Sequence, residues 1–494
     1  MGFPRTGVLM VLLAGCSTDF TPQTCSVDTD CGNGLVCELR EDKPVCVSAS
    51  DAPLIIGESA PISGTNQALG TAMKLGIELA FDEQNAAGGI RGRQLQLSFR
   101  DDAYQPDLAQ ANALALTDAQ TLSDAPKCPS TSLMIAGNPA ASATALARGP
   151  NAVLALLGSV GTPTMLRAAP IAVETNTLFF GAFTGATTVL RDTTCATCSR
   201  YIFNVRASYA QEARATMELF KKRGVTDYTR LISFDQNDSY GDSGYNGLVQ
   251  AYKDVMMVDP GTNIVRFRYT RNDDTSVPAQ SAAAEAFLAD LLQNTTGTIA
   301  VGVMMTDTYG AGAQFIQALR NWQFDGQQST LMKATRLKLY FSNVSFVGPN
   351  SLSDELVAAG SVMTPSGPMP YTQDVVVSQV VPNYQSDSSD VVTAYNALIT
   401  AKGAKPGFTS LEGYVAARVF IAGLLAHDGP FTPDSLVDSF ESLPDLSLGI
   451  GATSGFSSMN HQYSQSVWGT SIQADGSFKN LYFWSSGTPI QFFE

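Results

Sequence analysis

Residues 53–93 read PLIIGESAPISGTNQALGTAMKLGIELAFDEQNAAGGIRGR: a short apolar strand, a polar loop and a long helix, in that order. Along the helix, Ala72, Leu75, Gly76, Leu79 and Ala80 recur at i, i+3, i+4, i+7 and i+8, while Lys74, Glu78 and Asp82 fall outside that face. That is the spacing of an amphipathic helix packed on a sheet. Gly88-Gly89 ends it by supplying residues able to take the left-handed cap. The loop does not read as a phosphate cradle. Gly57, Gly64 and Gly70 are too far apart for GxGxxG, and no lysine follows where a GxxxxGK[ST] loop would place it. What the loop offers is hydroxyls, Ser59, Ser63 and Thr65, at the carboxyl end of a strand, where open α/β sheets place ligands.

The alternation continues to the end of the chain. QLQLSF alternates as a half-buried strand, Pro106 opens a helix at its first turn, and AVLALLG is a fully buried strand. TLFFGAF, RYIFNV, TRLISF, TNIVRFRY, TIAVGVMM, LKLYFSNV and DVVVSQVV read as further strands. Helical spacing runs over 211–223, 281–293, 311–322, 391–401 and 412–426. Strands alternating with helices predict an α/β fold with parallel sheets covered on both faces. So many strands exceed one comfortable sheet, and two doubly wound lobes are the simpler solution. The segment from Ser123 to Pro150 breaks the rhythm and reads as a surface insertion; Asp475-Gly476 reads as a hairpin turn.

With 494 residues the chain has room for two or three domains, and 44% hydrophobic residues are enough for large cores. A net charge of −15 leaves no basic stripe to displace counterions from phosphates, which excludes nucleic acid as a partner. At the start, Arg5 precedes the apolar run GVLMVLLAG, which is too short to span a bilayer. Leu13-Ala14-Gly15-Cys16 resembles a bacterial lipobox, so residues 1–15 are expected to be a signal peptide and Cys16 a lipid-bearing N-terminus. An ordinary secretory signal with a chance cysteine is the alternative. Cys25, Cys31, Cys37 and Cys46 follow in a small polar segment, and an exported chain reads such a cluster as two disulfides of open connectivity. Zinc would prefer ligand pairs two to four residues apart. Cys195 and Cys198 have redox spacing but fall in a loop, where a structural bridge, with Cys128 as a candidate partner, fits better.

A nucleophile or metal enzyme finds little support. Neither GxSxG nor HExxH occurs, and the two histidines, His427 and His461, accompany no evident nucleophile. No cofactor and no catalytic metal are expected.

IGESAPISG, the block from Ala68 to Pro106, LLGSVGTPT, FNVRASYAQEA, SFDQNDSYG and SLEGYVAARVF, in that order, resemble the substrate-binding proteins of branched-chain amino acid ABC transporters, the type I periplasmic binding proteins. The resemblance covers roughly Leu54 to the C-terminus. It implies two lobes joined by three crossovers with a small polar ligand trapped between them: 53–204 plus 383–448 for one, 205–382 plus 449–494 for the other, preceded by a lipidated cysteine-rich tether over 16–52. An ABC permease is the implied partner, a ligand-sensing receptor module the alternative use. Carried over residue by residue, the resemblance puts Thr162, with Ser159 nearby, on the ligand carboxylate, and Phe183 (by its carbonyl) and Thr184 (by its hydroxyl) beside it. Tyr240 and Tyr309 come from the second lobe, and Leu69 stands where an aromatic residue often lines the pocket, leaving more room. The carboxylate that accepts the ligand ammonium has no counterpart: Ser345 takes its place in NVSFVGPNSL. Since an unpaired buried ammonium is costly, either Asp307, Asp235 or Glu412 stands in, or the ligand carries a carboxylate or amide and no conventionally bound α-ammonium.

Overall fold

The computed structural model describes residues 23–40, 42–126, 145–187, 199–325, 328–451 and 455–493. Cys16, Cys128, Cys195, Cys198 and most of the Ser123–Pro150 insertion lie outside the described residues.

The cysteine-rich segment forms a small hairpin. Strand β1 (Leu35–Arg40) pairs antiparallel with β2 (Lys43–Ser48), placing Cys37 opposite Cys46. Cys25 bonds to Cys37 and Cys31 to Cys46, which fixes the connectivity the spacing left open. The hairpin module packs on the first lobe. Arg91 pairs with Asp28, and Arg93, almost fully buried, pairs with Glu38 at 2.8 Å and donates through Nε to the Ala52 carbonyl at 2.5 Å. Both arginines belong to the GGIRGR turn that closes the opening sequence block.

The first sheet is entirely parallel and has the order β4-β3-β7-β8-β9. Its strands are β3 (Leu54–Ala60), β4 (Leu95–Asp101), β7 (Ala155–Leu157), β8 (Leu178–Phe180) and β9 (Ile202–Phe203). The short pair β5 (Gln120–Thr121) and β6 (Leu146–Ala147) sits beside it. Helix α1 (Gln67–Ala86) follows β3, α2 (Pro106–Leu116) follows β4 and α3 (Thr162–Glu174) follows β7. After β9 the chain crosses to a second sheet of order β11-β10-β12-β13-β16-β17-β18-β19. Here β10 (Leu231–Gln236), β11 (Val265–Tyr269), β12 (Ile299–Thr306), β13 (Leu337–Asn343) and β16 (Val375–Gln379) run parallel. Their helices are α4 (Tyr209–Lys222), α5 (Ser239–Met256), α6 (Val277–Asn294), α7 (Tyr309–Phe324), α8 (Gln328–Arg336) and α9 (Pro349–Ala359). A hairpin, β14 (Ser361–Thr364) with β15 (Gly367–Pro370), interrupts the alternation.

The chain then returns to the first lobe as α10 (Asp390–Ala401), α11 (Phe408–Ala426) and α12 (Pro433–Glu441). It crosses back for antiparallel β17 (Ser466–Ile472), β18 (Phe478–Ser485) and β19 (Gln491–Phe492). Three passages between two doubly wound lobes result, with the Asp475-Gly476 turn joining β17 to β18 as expected. Helix α11 is, among the described residues, the one long and apolar enough to cross a membrane, but it is buried as the central helix of the first lobe. It packs so closely on α1 that a Cβ on Gly76 would collide with the backbone of Ser410 and Tyr414. Gly76 thus occupies its place on the apolar face of α1 because that face meets another helix backbone.

Candidate functional site

The loops at the carboxyl ends of both sheets face one another. Thr162 heads α3 behind Gly161, whose φ of 101° lets the loop turn into the helix. Its hydroxyl lies 2.7 Å from that of Thr184, in the loop after β8. Thr184 in turn bonds to the Tyr209 hydroxyl at 3.3 Å. The Tyr209 ring packs on Tyr240 with centroids 5.4 Å apart, and Tyr240 donates to the Asp307 carbonyl at 2.9 Å. The Thr162, Thr184 and Tyr209 hydroxyls therefore form one chain from the first lobe to the second, and the packed Tyr209 ring carries it on to Tyr240, with every member buried. Burial pushes the Tyr209 phenol up to about 12 and that of Tyr240 well above its ordinary range, so both stay neutral donors.

The other expected residues fall around this chain in different ways. Ser159 is buried and its carbonyl accepts from the Phe183 N–H at 2.9 Å; the Phe183 carbonyl accepts from Gly161 at 3.1 Å. These two bonds lock the loops after β7 and β8 together. The Phe183 ring lies 5.0 Å from Phe346 of the second lobe, and Phe346 also packs on Tyr240 at 4.7 Å and on Tyr104 at 6.1 Å. Leu69 does not open a space on the opposite lobe: its Cδ2 lies 2.7 Å from where a Cβ of Gly348 would stand, with Tyr309 Cδ1 at 3.3 Å on the same spot. Gly348, at φ 79°, is what lets the two lobes approach there. Tyr309 donates to the Thr65 carbonyl, and Asn66 donates to Asn272 at 2.8 Å, so the opening loop is one lip of the cleft.

The acids also have definite places. Asp235 is gripped by Arg266 at 2.7 Å, Arg268 at 3.0 Å and Ser233 at 2.7 Å. Glu412 pairs with Arg206 at 3.2 Å. Asp307 accepts from Asn343 at 2.6 Å on one oxygen, while Oδ2 is buried without a hydrogen-bond partner. Burial lifts its carboxyl well above the usual range, favouring the neutral acid. Ser345 is held by Glu212, which accepts from its backbone N–H at 2.7 Å and its hydroxyl at 3.1 Å.

Arg206, Tyr209, Glu212, Tyr104 and Phe346 did not stand out from the sequence as site residues. Three of them, Arg206, Tyr209 and Glu212, lie in FNVRASYAQEA; a lone arginine in the passage from a strand into a helix was the available signal. His461 stacks on Phe203 with centroids 3.9 Å apart and bonds to the Ile202 carbonyl, while His427 caps α11. Both are structural.

Two lobes wound in the same sense, three passages between them and facing hydroxyl-bearing loops define a solute-binding protein. The chain belongs to the periplasmic binding protein family, whose model matches residues 53–125 and 135–477. It is similar to the structure of a possible leucine/isoleucine/valine-binding protein from Rhodopirellula baltica, at 30% identity and TM-score 0.66, covering 88% of this chain and 98% of that one. A valine-bound branched-chain amino acid ABC transporter protein from Thermus thermophilus shares the fold at 12% identity and TM-score 0.61, covering 88% and 97%. An ABC transporter solute-binding protein from R. palustris, solved in complex with benzoate, does so at 17% identity and TM-score 0.61, covering 90% and 98%. Among curated relatives, Leu/Ile/Val-binding protein homolog 2 of Brucella abortus is 42% identical over 57 residues, 12% of this chain and 15% of that protein. The matched stretch thus spans well under a fifth of that relative.

Proposed function

We propose that this protein captures a small carboxylate or amide that lacks an α-ammonium group, encloses it by lobe closure without altering it, and delivers it to an ABC permease. The observation that carries the ligand class is the state of the acids. Asp235 and Glu412 are engaged by arginines, Asp307 is favoured neutral, and Ser345 stands bonded to Glu212 where an ammonium acceptor would be needed. On the other side, the Thr162 and Thr184 hydroxyls and the neutral Tyr209 phenol offer donors to an anion. Closing the lobes takes those hydrogen bonds out of water and strengthens them.

Calorimetry with paired solutes decides the ligand class: a branched or aromatic carboxylic acid against the α-amino acid of the same skeleton. The acid binds, the amino acid does not, and Thr162→Val weakens the acid by about 1–3 kcal/mol, as expected when a buried hydrogen bond loses one partner. Tight leucine or valine binding lost on Asp307→Asn defeats this assignment. The lobes are proposed to divide at residues 204, 382 and 448. Residues 1–15 are proposed to be removed and Cys16 lipidated, which attaches the mature chain to a membrane outside the cytoplasm. Cys16→Ala then moves the protein from the membrane to the soluble fraction.

A further inference from the structure

We infer that Arg206 is a positioning residue that clasps the two lobes in their closed arrangement from the hinge side, before any ligand arrives. The inference rests on the lobe-closure reading above and centres on Arg206 and Glu212, which are not among the expected ligand contacts, while Ser345, Phe183 and Glu412 of the expected site adjoin them.

Arg206 lies in the first passage between lobes, five residues from β9 to α4. That passage is bonded to the third one: Asn204 N–H donates to the His461 carbonyl at 2.7 Å, Tyr463 N–H to the Asn204 carbonyl at 2.7 Å, and Ser464 N–H to the Val205 carbonyl at 3.0 Å. The backbone there is a two-stranded hinge. From it the guanidinium reaches in opposite directions. One arm meets Glu412 on α11 of the first lobe at 3.2 Å; the other meets Glu212 on α4 of the second lobe at 2.7 Å and the Ser345 hydroxyl. Glu212 extends the second-lobe side, accepting from Ser378 at 2.6 Å as well as from Ser345. Over its face the guanidinium stacks on Phe183 at 5.3 Å and Tyr209 at 5.7 Å, the aromatic residues that back the hydroxyl chain.

Arginine and both glutamates are buried. Burial alone would favour a neutral guanidine, yet the two carboxylates more than offset it and hold Arg206 firmly charged. Removing one partner of such a buried pair is strongly destabilising, because it strands the remaining charge. A planar fork can satisfy carboxylates on two bodies only at one mutual orientation of those bodies. Rotating the lobes about the hinge draws Glu412 away from Glu212, so the trio favours the closed pose and holds Phe183 and Tyr209 in place within it. Ligand then adds to an arrangement already populated.

The test uses the full chain without ligand: small-angle scattering with amide hydrogen exchange, on wild type, Glu412→Gln and Arg206→Lys. Both variants are expected to show a larger radius of gyration and about tenfold faster exchange at Thr162, Phe183 and Tyr240, with exchange in β3 and β12 unchanged. Scattering and exchange equal to wild type overturn the clasp, as does acceleration spread evenly over both lobes, which marks a purely structural role. Should either variant fail to fold, Ser345→Ala, which leaves all three charges in place, is expected to shift the same amides by a smaller factor, and no shift overturns the inference. If no solute in the calorimetric panel binds, the capture reading falls while these ligand-free measurements still decide the clasp.

Discussion

Glu58 and Asp102 place two carboxyl groups inside the first lobe, next to the opening loop. Asp102 accepts from Ser59 at 2.8 Å and from the Tyr104 N–H at 2.9 Å, yet burial raises its carboxyl from 3.8 to about 7. Glu58 is fully buried with both oxygens lacking a hydrogen-bond partner, and burial lifts it well above the usual range. A carboxyl with a raised folded pKa contributes stability that is complete below its unfolded pKa and is lost as pH climbs through the folded one. For Asp102 that window runs from pH 3.8 to about 7. Asp102→Asn should therefore flatten the fall in stability across that window, by up to roughly 4 kcal/mol at 1.36 kcal/mol per unit; urea melts at pH 4 and pH 7 measure it. An unchanged slope sinks the assignment. At this scale the sequence revealed the loop hydroxyls, because a strand end followed by Ser or Thr is a local pattern. It could not reveal that Ser345 would be held by Glu212, since those residues are 133 apart and only the folded lobes bring them together.

Among the elements, α1 and α11 show what local spacing can and cannot convey. Periodicity located α1, Pro106 opened α2, and each strand-like run named above became a strand, since a period of 2 or 3.6 is written in the chain itself. The hairpin Ser361–Pro370 was not foreseen, because Pro365, Pro368 and Pro370 argue against a strand; they are tolerated in a separate two-stranded piece. The partner of α1 was equally hidden: α11 lies more than 300 residues on and meets it at Gly76. Gly76→Ala is expected to lower stability by about 1–3 kcal/mol despite alanine's better helix propensity, since the added methyl drives two backbones apart. A thermal melt reads the sign directly, and stabilisation would contradict the packing. Gly348→Ala meets Leu69 and a positive φ together, so it should weaken ligand affinity more than it weakens folding.

For the whole molecule, the two sheets, the three passages and the buried α11 follow from the alternation of strands and helices, whereas the seating of the disulfide module does not. Nothing in its cysteine spacing indicates that Asp28 and Glu38 would bind the two arginines of GGIRGR. Cys31→Ser with Cys46→Ser should cost the module about 3 kcal/mol, the loss expected for a loop of this size. The main melting transition of the lobes should stay in place, as differential scanning calorimetry can check; a shared loss would mean that module and lobes unfold as one unit.

With Cys16 lipidated as proposed, that seating would also govern where the binding cleft stands in the cell. A lipid on Cys16 would be separated from Gln23 by six residues, a reach of about 25 Å even when drawn out straight. The receptor would then sit on a short stalk, with its GGIRGR flank turned toward the bilayer, instead of roaming at the end of a long leash. Cargo transfer would be confined to a translocator embedded in that same membrane.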